Sequence, residues 1–448
     1  MKGRSSLVFM SVLIVMSLLL GACAKAVATQ APAATEASTA VVTAAATEAA
    51  TVVVTAAATK APTAAPVTIK YWHTMSDAES AKLDEVIAAF EAANPGITVE
   101  ATRYAYNDFK TALLTAIAGG DVPDTVRMDI AWVSEFASQG ALMQLDGAMP
   151  DFATIAASVF AGPLATNKWD GHYYGLPQNT NTQVLVYNKA SFEAAGIANP
   201  PATIEEFVAD ACKLTDTAKG TYGYAQGGTY FWAPAPLFYA MGGKIVDEGI
   251  TTATGYVNSA ESVAAFTMMK DLYDKGCMSP NLLGGGIATD AGQGTGIYAM
   301  IIDGPWMVDI YKANYPELNY AFAPIPAGAT GTSSVVGGED VVILDASANK
   351  EGAAKWVSYL MSVDSQKALA QVGVVPTIAS LTGAADLPAY FAVFMEQLKT
   401  AQARVPSPKW SDMDTAINNA YQRILNGDQT AKVALDQAAT EIDALLTK

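Results

Sequence analysis

Between Val67 and Met128 the chain alternates between two hydrophobic periods, and that alternation constrains the fold more than any other feature. Val67-Thr68-Ile69-Lys70-Tyr71-Trp72 is β-branched and aromatic, the composition of a strand. Ser76-Asp77-Ala78-Glu79 follows as a capping box, in which each end residue can satisfy the other's orphan backbone N–H. The helix behind it carries Leu83, Val86, Ile87 and Phe90 on one stripe, and Asn94-Pro95-Gly96 ends it. Ile97 to Ala101 is a second strand. Asn107 is placed to cap a helix bearing Phe109, Leu113, Leu114 and Ile117, which stops at Gly119-Gly120; Thr125 to Met128 is a third strand. Alternating strands and helices predict an α/β layer with a largely parallel sheet, and such sheets bind ligands beyond the carboxyl ends of their strands. His73-Thr74-Met75 and Asp129-Ile130-Ala131-Trp132 fall at those ends.

The pattern continues along the chain. Thr203-Ile204-Glu205-Glu206 is a second capping box, Asn258 to Gly276 reads as a helix, and Val341 to Leu344 as a buried strand. Asp412 to Leu446 reads as two helices separated by Asn426-Gly427-Asp428. A chain of 448 residues exceeds what one core of about 250–300 residues can organise. With 26 Lys+Arg against 43 Asp+Glu the net charge is −17, which argues against a protein that holds a nucleic-acid backbone. Two histidines and no Cys-x-x-Cys leave no metal site or cofactor to expect. No Gly-x-Ser-x-Gly, histidine pair or motif fixing two carboxylates across a cleft points to an enzyme.

Lys2 and Arg4 precede an apolar run from Leu7 to Leu20, so residues 1–22 read as a secretory signal rather than a membrane span. Leu20-Gly21-Ala22-Cys23 resembles the bacterial lipobox. That resemblance implies lipidation of Cys23 and a mature chain tethered to the outer face of the bacterial cell membrane. Residues 24–66 are almost entirely Ala, Thr, Val and Pro, without an aromatic residue or a glycine, and Val41 to Ala49 is echoed at Val53 to Ala61. Such a segment cannot bury enough side chain to offset its ordering entropy, so 23–66 is expected to be a lipidated cysteine followed by a disordered stalk.

Short stretches in the remainder are similar, in order, to the family 1 extracellular solute-binding proteins, which include maltose-binding protein. They are Trp72-His73-Thr74, Ala92 to Val99, Gly120-Asp121-Val122-Pro123-Asp124, Phe136 to Gly140, Tyr187-Asn188-Lys189, Gly304-Pro305-Trp306, Gly337-Gly338-Glu339 and Val374-Val375-Pro376-Thr377. The resemblance spans 67–448. It implies a type II periplasmic-binding-protein fold, α/β with two hinged lobes and the ligand in the cleft between them. Carried over by segment, lobe one is 67–180 plus 334–373, and lobe two is 181–333 plus 374–448. It further implies a monomer that captures a sugar or oligosaccharide by lobe closure and delivers it to the permease subunits of an ABC importer. Alternatives in other classes are a binder of a glycerol phosphodiester or similar solute, a sugar sensor, and, least favoured, an exported glycosidase.

Sugars present C–H faces that pack on aromatic rings and hydroxyls that need fixed partners. Of seven tryptophans, Trp306 follows a Gly-Pro turn at a family platform position, and Trp232 lies in an aromatic loop with Tyr230 beside it. Trp410 is a candidate platform in the last segment. Asp129 and Trp132 end the third strand; Asp129 either accepts sugar hydroxyls or caps a helix. Glu339 lies at the return crossover, as a ligand or a solvated turn carboxylate. His73 follows the first strand, and Gln178, Asn179 and Asn181 lie at the first hinge, serving ligand or backbone. Arg404 reads as a surface charge, with pairing to an acidic or sugar ligand as the alternative, Trp356 as core, and Trp169, before Asp170-Gly171, as part of a hairpin. Cys212 and Cys277 fall in lobe two near helix ends, where export permits a disulfide and buried thiols are the alternative.

Overall fold

The computed structural model describes residues 66–381 and 383–447, so the expected signal segment, Cys23 and the stalk up to residue 65 lie outside the described residues. Twelve strands follow in order: β1 (Val67–His73), β2 (Ile97–Arg103), β3 (Thr125–Asp129), β4 (Lys168–Trp169), β5 (His172–Tyr173), β6 (Gly175–Thr182), β7 (Val184–Asn188), β8 (Tyr222–Ala225), β9 (Tyr298–Asp303), β10 (Tyr320–Ala323), β11 (Ser334–Ile343) and β12 (Ala401–Gln402). They form two main sheets, and the fold is two-lobed. The first sheet has the order β12-β11-β3-β1-β2, with β6 also on β11; the second is β10-β7-β9-β8. A separate hairpin joins β4 to β5 around Asp170, which takes a positive φ, and Gly171.

The expected parallel layer is only part of the first sheet. β1 pairs β2 and β3 in parallel, but β11 runs antiparallel to both β3 and β6. The second sheet has one parallel pair, β8 with β9. The reason is topological. β6 leads into β7 of the other sheet with Gln183 alone between them, and β11 brings the chain back beside it in the opposite sense. A third segment touches this crossover, where Thr180 bridges Val375.

Local signals place the first helix well. Ser76 caps Asp77–Ala93 with both bonds of its box formed, Glu79 N–H to Ser76 Oγ at 3.3 Å and Ser76 N–H to Glu79 Oε2 at 2.7 Å. Leu83, Val86, Ile87 and Phe90 are its buried residues. The second helix is Tyr106–Gly119, and its cap position is Ala105, without a side-chain bond, rather than the expected Asn107. Thr203 caps Ile204–Lys213, but Glu206 reaches the N–H of Ala202 rather than that of Thr203. Ser259, not Asn258, caps Ala260–Asp274. Asn258 instead accepts from Gly255 N–H and donates to Asp436. The last two helices are Trp410–Leu425 and Ala431–Leu446.

Each lobe has its own core. Under the first sheet, Trp356 is fully buried and meets Tyr71 and Phe90 edge-on at 5.6 and 5.1 Å. Phe109, Val126, Met128 and Phe136 fill the sheet's other side. The larger core joins Phe207, Phe238, Phe266 and Tyr421 with the two C-terminal helices. Each such side chain contributes roughly 1.5–3 kcal/mol by leaving water. Cys212 and Cys277 form a disulfide with Cα atoms 4.6 Å apart, tying the helix Ile204–Lys213 to the residue after Gly276.

His73 ends β1 inside this framework and is 3% exposed. Its Nδ1 accepts the Met75 N–H at 3.3 Å, which needs a neutral ring. Burial, then Arg127 and Arg103, depress its pKa from 6.5 to about 4. The unfolded chain therefore binds an extra proton as pH falls through that window, and stability falls with it. Urea denaturation of wild type between pH about 6.5 and about 4 is expected to lose up to about 3 kcal/mol that His73→Gln does not lose; identical pH profiles would remove His73 from the effect. The double variant Cys212→Ser/Cys277→Ser, which opens a loop of sequence separation 65, is expected to lose about 2–4 kcal/mol in the same assay at neutral pH.

Candidate functional site

A cavity of about 820 Å³ opens where the carboxyl end of β3, the β6–β11 crossover and the loops of the second lobe meet. A cavity of about 890 Å³ lies elsewhere, on the outer surface beside Lys350 and Lys355. It holds no tryptophan, and both lysines are already paired, with Asp345 and Glu351.

The crossover supplies the floor of the first cavity. Of the β6 residues, Asn179, Thr180 and Asn181 line it and Gln178 does not. Gln178 is fully buried and accepts the Tyr71 hydroxyl at 2.9 Å, so it serves the core rather than a ligand. His73 also lies outside the lining; the adjacent Thr74 reaches the cavity instead. Opposite Asn181 stands Gly337. A Cβ there would come within 2.2 Å of Asn181 Oδ1 and 2.5 Å of the Trp232 ring, so only glycine allows this approach.

Trp232 and Trp306 enter from the second lobe, both half-buried, with ring centroids 6.4 Å apart and planes tilted by 33°. The Trp306 ring folds back over Gly304, whose hydrogen leaves it room. Asp303 beneath accepts the Gly304 N–H at 2.8 Å, and burial pushes its carboxyl up to about 7. The Trp232 loop is anchored to the helix Trp410–Leu425: Phe231 N–H donates to Asp414 at 2.7 Å and Thr229 to Asn418 at 2.6 Å. Gln183, the residue between the sheets, donates to the Trp232 carbonyl at 2.6 Å. Tyr230 is 47% exposed at the rim. Trp410 borders the cavity but is 4% exposed and packs edge-on against Phe231, so its ring belongs to the core more than to an open platform. On the first lobe, Trp132 stacks with Tyr106 at 5.7 Å under the Lys110 ammonium.

Two ion pairs organise the polar wall. Arg127 donates to Glu339 at 2.6 Å, to Asn179 at 3.2 Å and to Thr74 at 3.2 Å, and Asn179 also donates to Glu339 at 2.6 Å. Burial pushes the Glu339 carboxyl above its usual range against the pull of Arg127. Asp129 Oδ1 accepts from Ala131 N–H and from Arg404 Nη2, both at 2.8 Å, while Oδ2 accepts the Tyr106 hydroxyl at 2.7 Å. The Arg404 guanidinium also lies over the Trp232 ring, 5.5 Å from its centroid. Arg404 is thus no surface charge: it is 11% exposed and held by Asp129. A third contact closes the rim, where Lys110 and Glu135 of the first lobe both meet Ser411, at 2.8 and 3.0 Å.

The cavity gathers Trp306, Trp232, Asp129, Glu339, Trp132, Asn181, Tyr230 and Trp410, and omits His73 and Gln178. Sequence reasoning missed Arg127, Tyr106 and Asp414 and favoured the surface for Arg404. Arg127 carried a signal, a charge between the apolar Val126 and Met128 of a strand, since a buried charge requires a partner. Nothing local marked Arg404 as buried, because its partner Asp129 is distant in sequence.

Residues 76–367 match the family model described as bacterial extracellular solute-binding protein. A Brucella abortus (strain 2308) protein, named only as a binding protein, is 31% identical over 383 residues, covering 82% of this chain and 90% of that one. Among solved structures, an ABC transporter solute-binding protein from Thermotoga lettingae bound with α-D-tagatose superposes with a TM-score of 0.76 at 30% identity, over 85% of this chain and 99% of that one. An ABC substrate-binding protein from Listeria monocytogenes in complex with cycloalternan gives a TM-score of 0.76 at 26% identity, with the same coverage. The chain belongs to the bacterial extracellular solute-binding protein family.

Proposed function

We propose that this protein captures a sugar or oligosaccharide by closing its lobes on it and delivers it to the permease of an ABC importer. The observation that carries the reading is the pair of half-buried indoles, Trp232 and Trp306, 6.4 Å apart at a cavity whose other walls are amides and carboxylates. Apolar faces with fixed polar groups beside them suit a carbohydrate. The Thermotoga and Listeria proteins, similar over most of this chain, bind carbohydrates. Trp306, Trp232 and Tyr230 supply the faces in this reading, and Asn181, Glu339 and Asp129 the hydroxyl partners. Trp132 and Trp410 bound the site.

The lobes are assigned as 67–180 plus 334–373 and 181–333 plus 374–448, hinged where β6 and β11 cross. The receptor works as a monomer, tethered through a lipid on Cys23, and the permease reads the closed shape. Loss of radiolabelled palmitate incorporation and release into the medium are the expected results of Cys23→Ala; a variant that stays labelled and cell-bound rejects that anchor.

A thermal-shift screen against sugars tests the main reading. A ligand specific to the folded state, at about 100 times its Kd, adds about 2.7 kcal/mol of stability. A peptide or phosphodiester that shifts melting when no carbohydrate does rejects it. For the sugar identified, Trp306→Ala is expected to weaken binding about tenfold or more by calorimetry, and an unchanged Kd removes Trp306 as a platform.

A further inference from the structure

Charged groups in the cleft are unequal in number. Among the described residues lining it are four carboxylates, of Glu79, Asp129, Glu339 and Asp414, and two guanidinium groups, of Arg127 and Arg404. Each arginine is already committed. Arg127 donates through three nitrogens to Glu339, Asn179 and Thr74. Arg404 meets Asp129 at 2.8 Å, and the Trp232 ring lies against its guanidinium. Its Nε is sealed from solvent without a partner. Glu79 and Asp414 accept only backbone N–H groups, of Ser76 and Phe231, and form no ion pair.

We propose that the Asp129–Arg404 pair acts as a charge filter that restricts the cleft to uncharged sugars and turns away those carrying a carboxylate or phosphate. The inference rests on the sugar reading and adds a selectivity to it. An acidic sugar would approach arginines whose charge is cancelled within hydrogen-bond distance, and it would face two further carboxylates, Glu79 and Asp414, that no ion pair holds. Capturing Arg404 would strip Asp129, leaving a carboxylate 9% exposed without its cation. A neutral hydroxyl disturbs neither pair. Arg404 is therefore a specificity-determining residue whose effect depends on Asp129: paired, it stabilises Trp232 and rejects anions; unpaired, it would attract them.

The test uses the full mature chain and matched probes: glucose with glucuronate, galactose with galacturonate, lactose with lactobionate, maltose with maltobionate. For every pair whose neutral member binds, calorimetry is expected to find the acid about 100-fold weaker or more. In Asp129→Asn that ratio is expected to shrink about tenfold or more, because Arg404 is released, whereas Asp414→Asn, which leaves Arg404 paired, changes it less. Melting temperature confirms that the variants fold. Wild type offers a second readout. Raising salt from about 0.01 M to about 1 M shortens the Debye length from about 30 to about 3 Å and should narrow the ratio. An acid that binds as tightly as its neutral partner overturns the filter and leaves the sugar reading standing. An unchanged ratio in Asp129→Asn removes Arg404 from it. Failure of every carbohydrate, charged or neutral, defeats the sugar reading and the filter together.

Discussion

The antiparallel pairing of β6 with β11 is where the two lobes, the hinge and the cleft floor become one object. Gly175 to Thr182 lies beside Val342 to Val336, with a register irregularity between Glu339 and Asp340. Both strands lie in the first sheet, and β6 passes through Gln183 alone into β7 of the second. The same strands hold Asn179, Asn181 and Glu339 against the cavity. Close packing at Gly337, where Trp232 and Asn181 meet, ties a second-lobe platform to the hinge itself. A ligand that touches both the polar floor and the aromatic wall binds the closed arrangement better and so biases a hinged population toward closure.

Electrostatics then decide what the floor can do. Buried ion pairs cost desolvation and often add little stability. Here they hold geometry. Arg127 orients both Glu339 and Asn179, and Arg404 links Asp129 to the Trp232 ring. Asp129, which looked from its position like a free acceptor for sugar hydroxyls, already receives three hydrogen bonds from the protein. Asp129 ends β3 and lines the cavity, and neighbouring side chains give it a structural duty as well.

Much of the scaffold was legible from local chemistry. The Ser76 box, the stripe Leu83-Val86-Ile87-Phe90 and the buried Trp356 follow from side-chain periodicity, which acts within a few residues. The cap expected at Asn258 falls one residue on, at Ser259, which caps equally well while Asn258 bonds the distant Asp436; the cap expected at Asn107 falls two residues earlier, at Ala105, with no side-chain bond. The antiparallel insertion of β11 could not be read from hydrophobic pattern, because a strand looks the same whichever way its neighbour runs.

The sequence by itself determined that this is an acidic α/β chain with a family order of motifs, and it nominated indoles, amides and carboxylates as the groups a ligand would meet. Tertiary structure decided which of them share a cavity. The Tyr71 hydroxyl claimed Gln178 for the core while Asn181 reached the cavity; burial at the end of β1 holds His73 neutral; and folding brought Arg404 to Asp129 across 275 positions of chain. Charge pairing acts through space with no periodicity to announce it, so the chemistry of the cleft wall emerges only once the two lobes face each other.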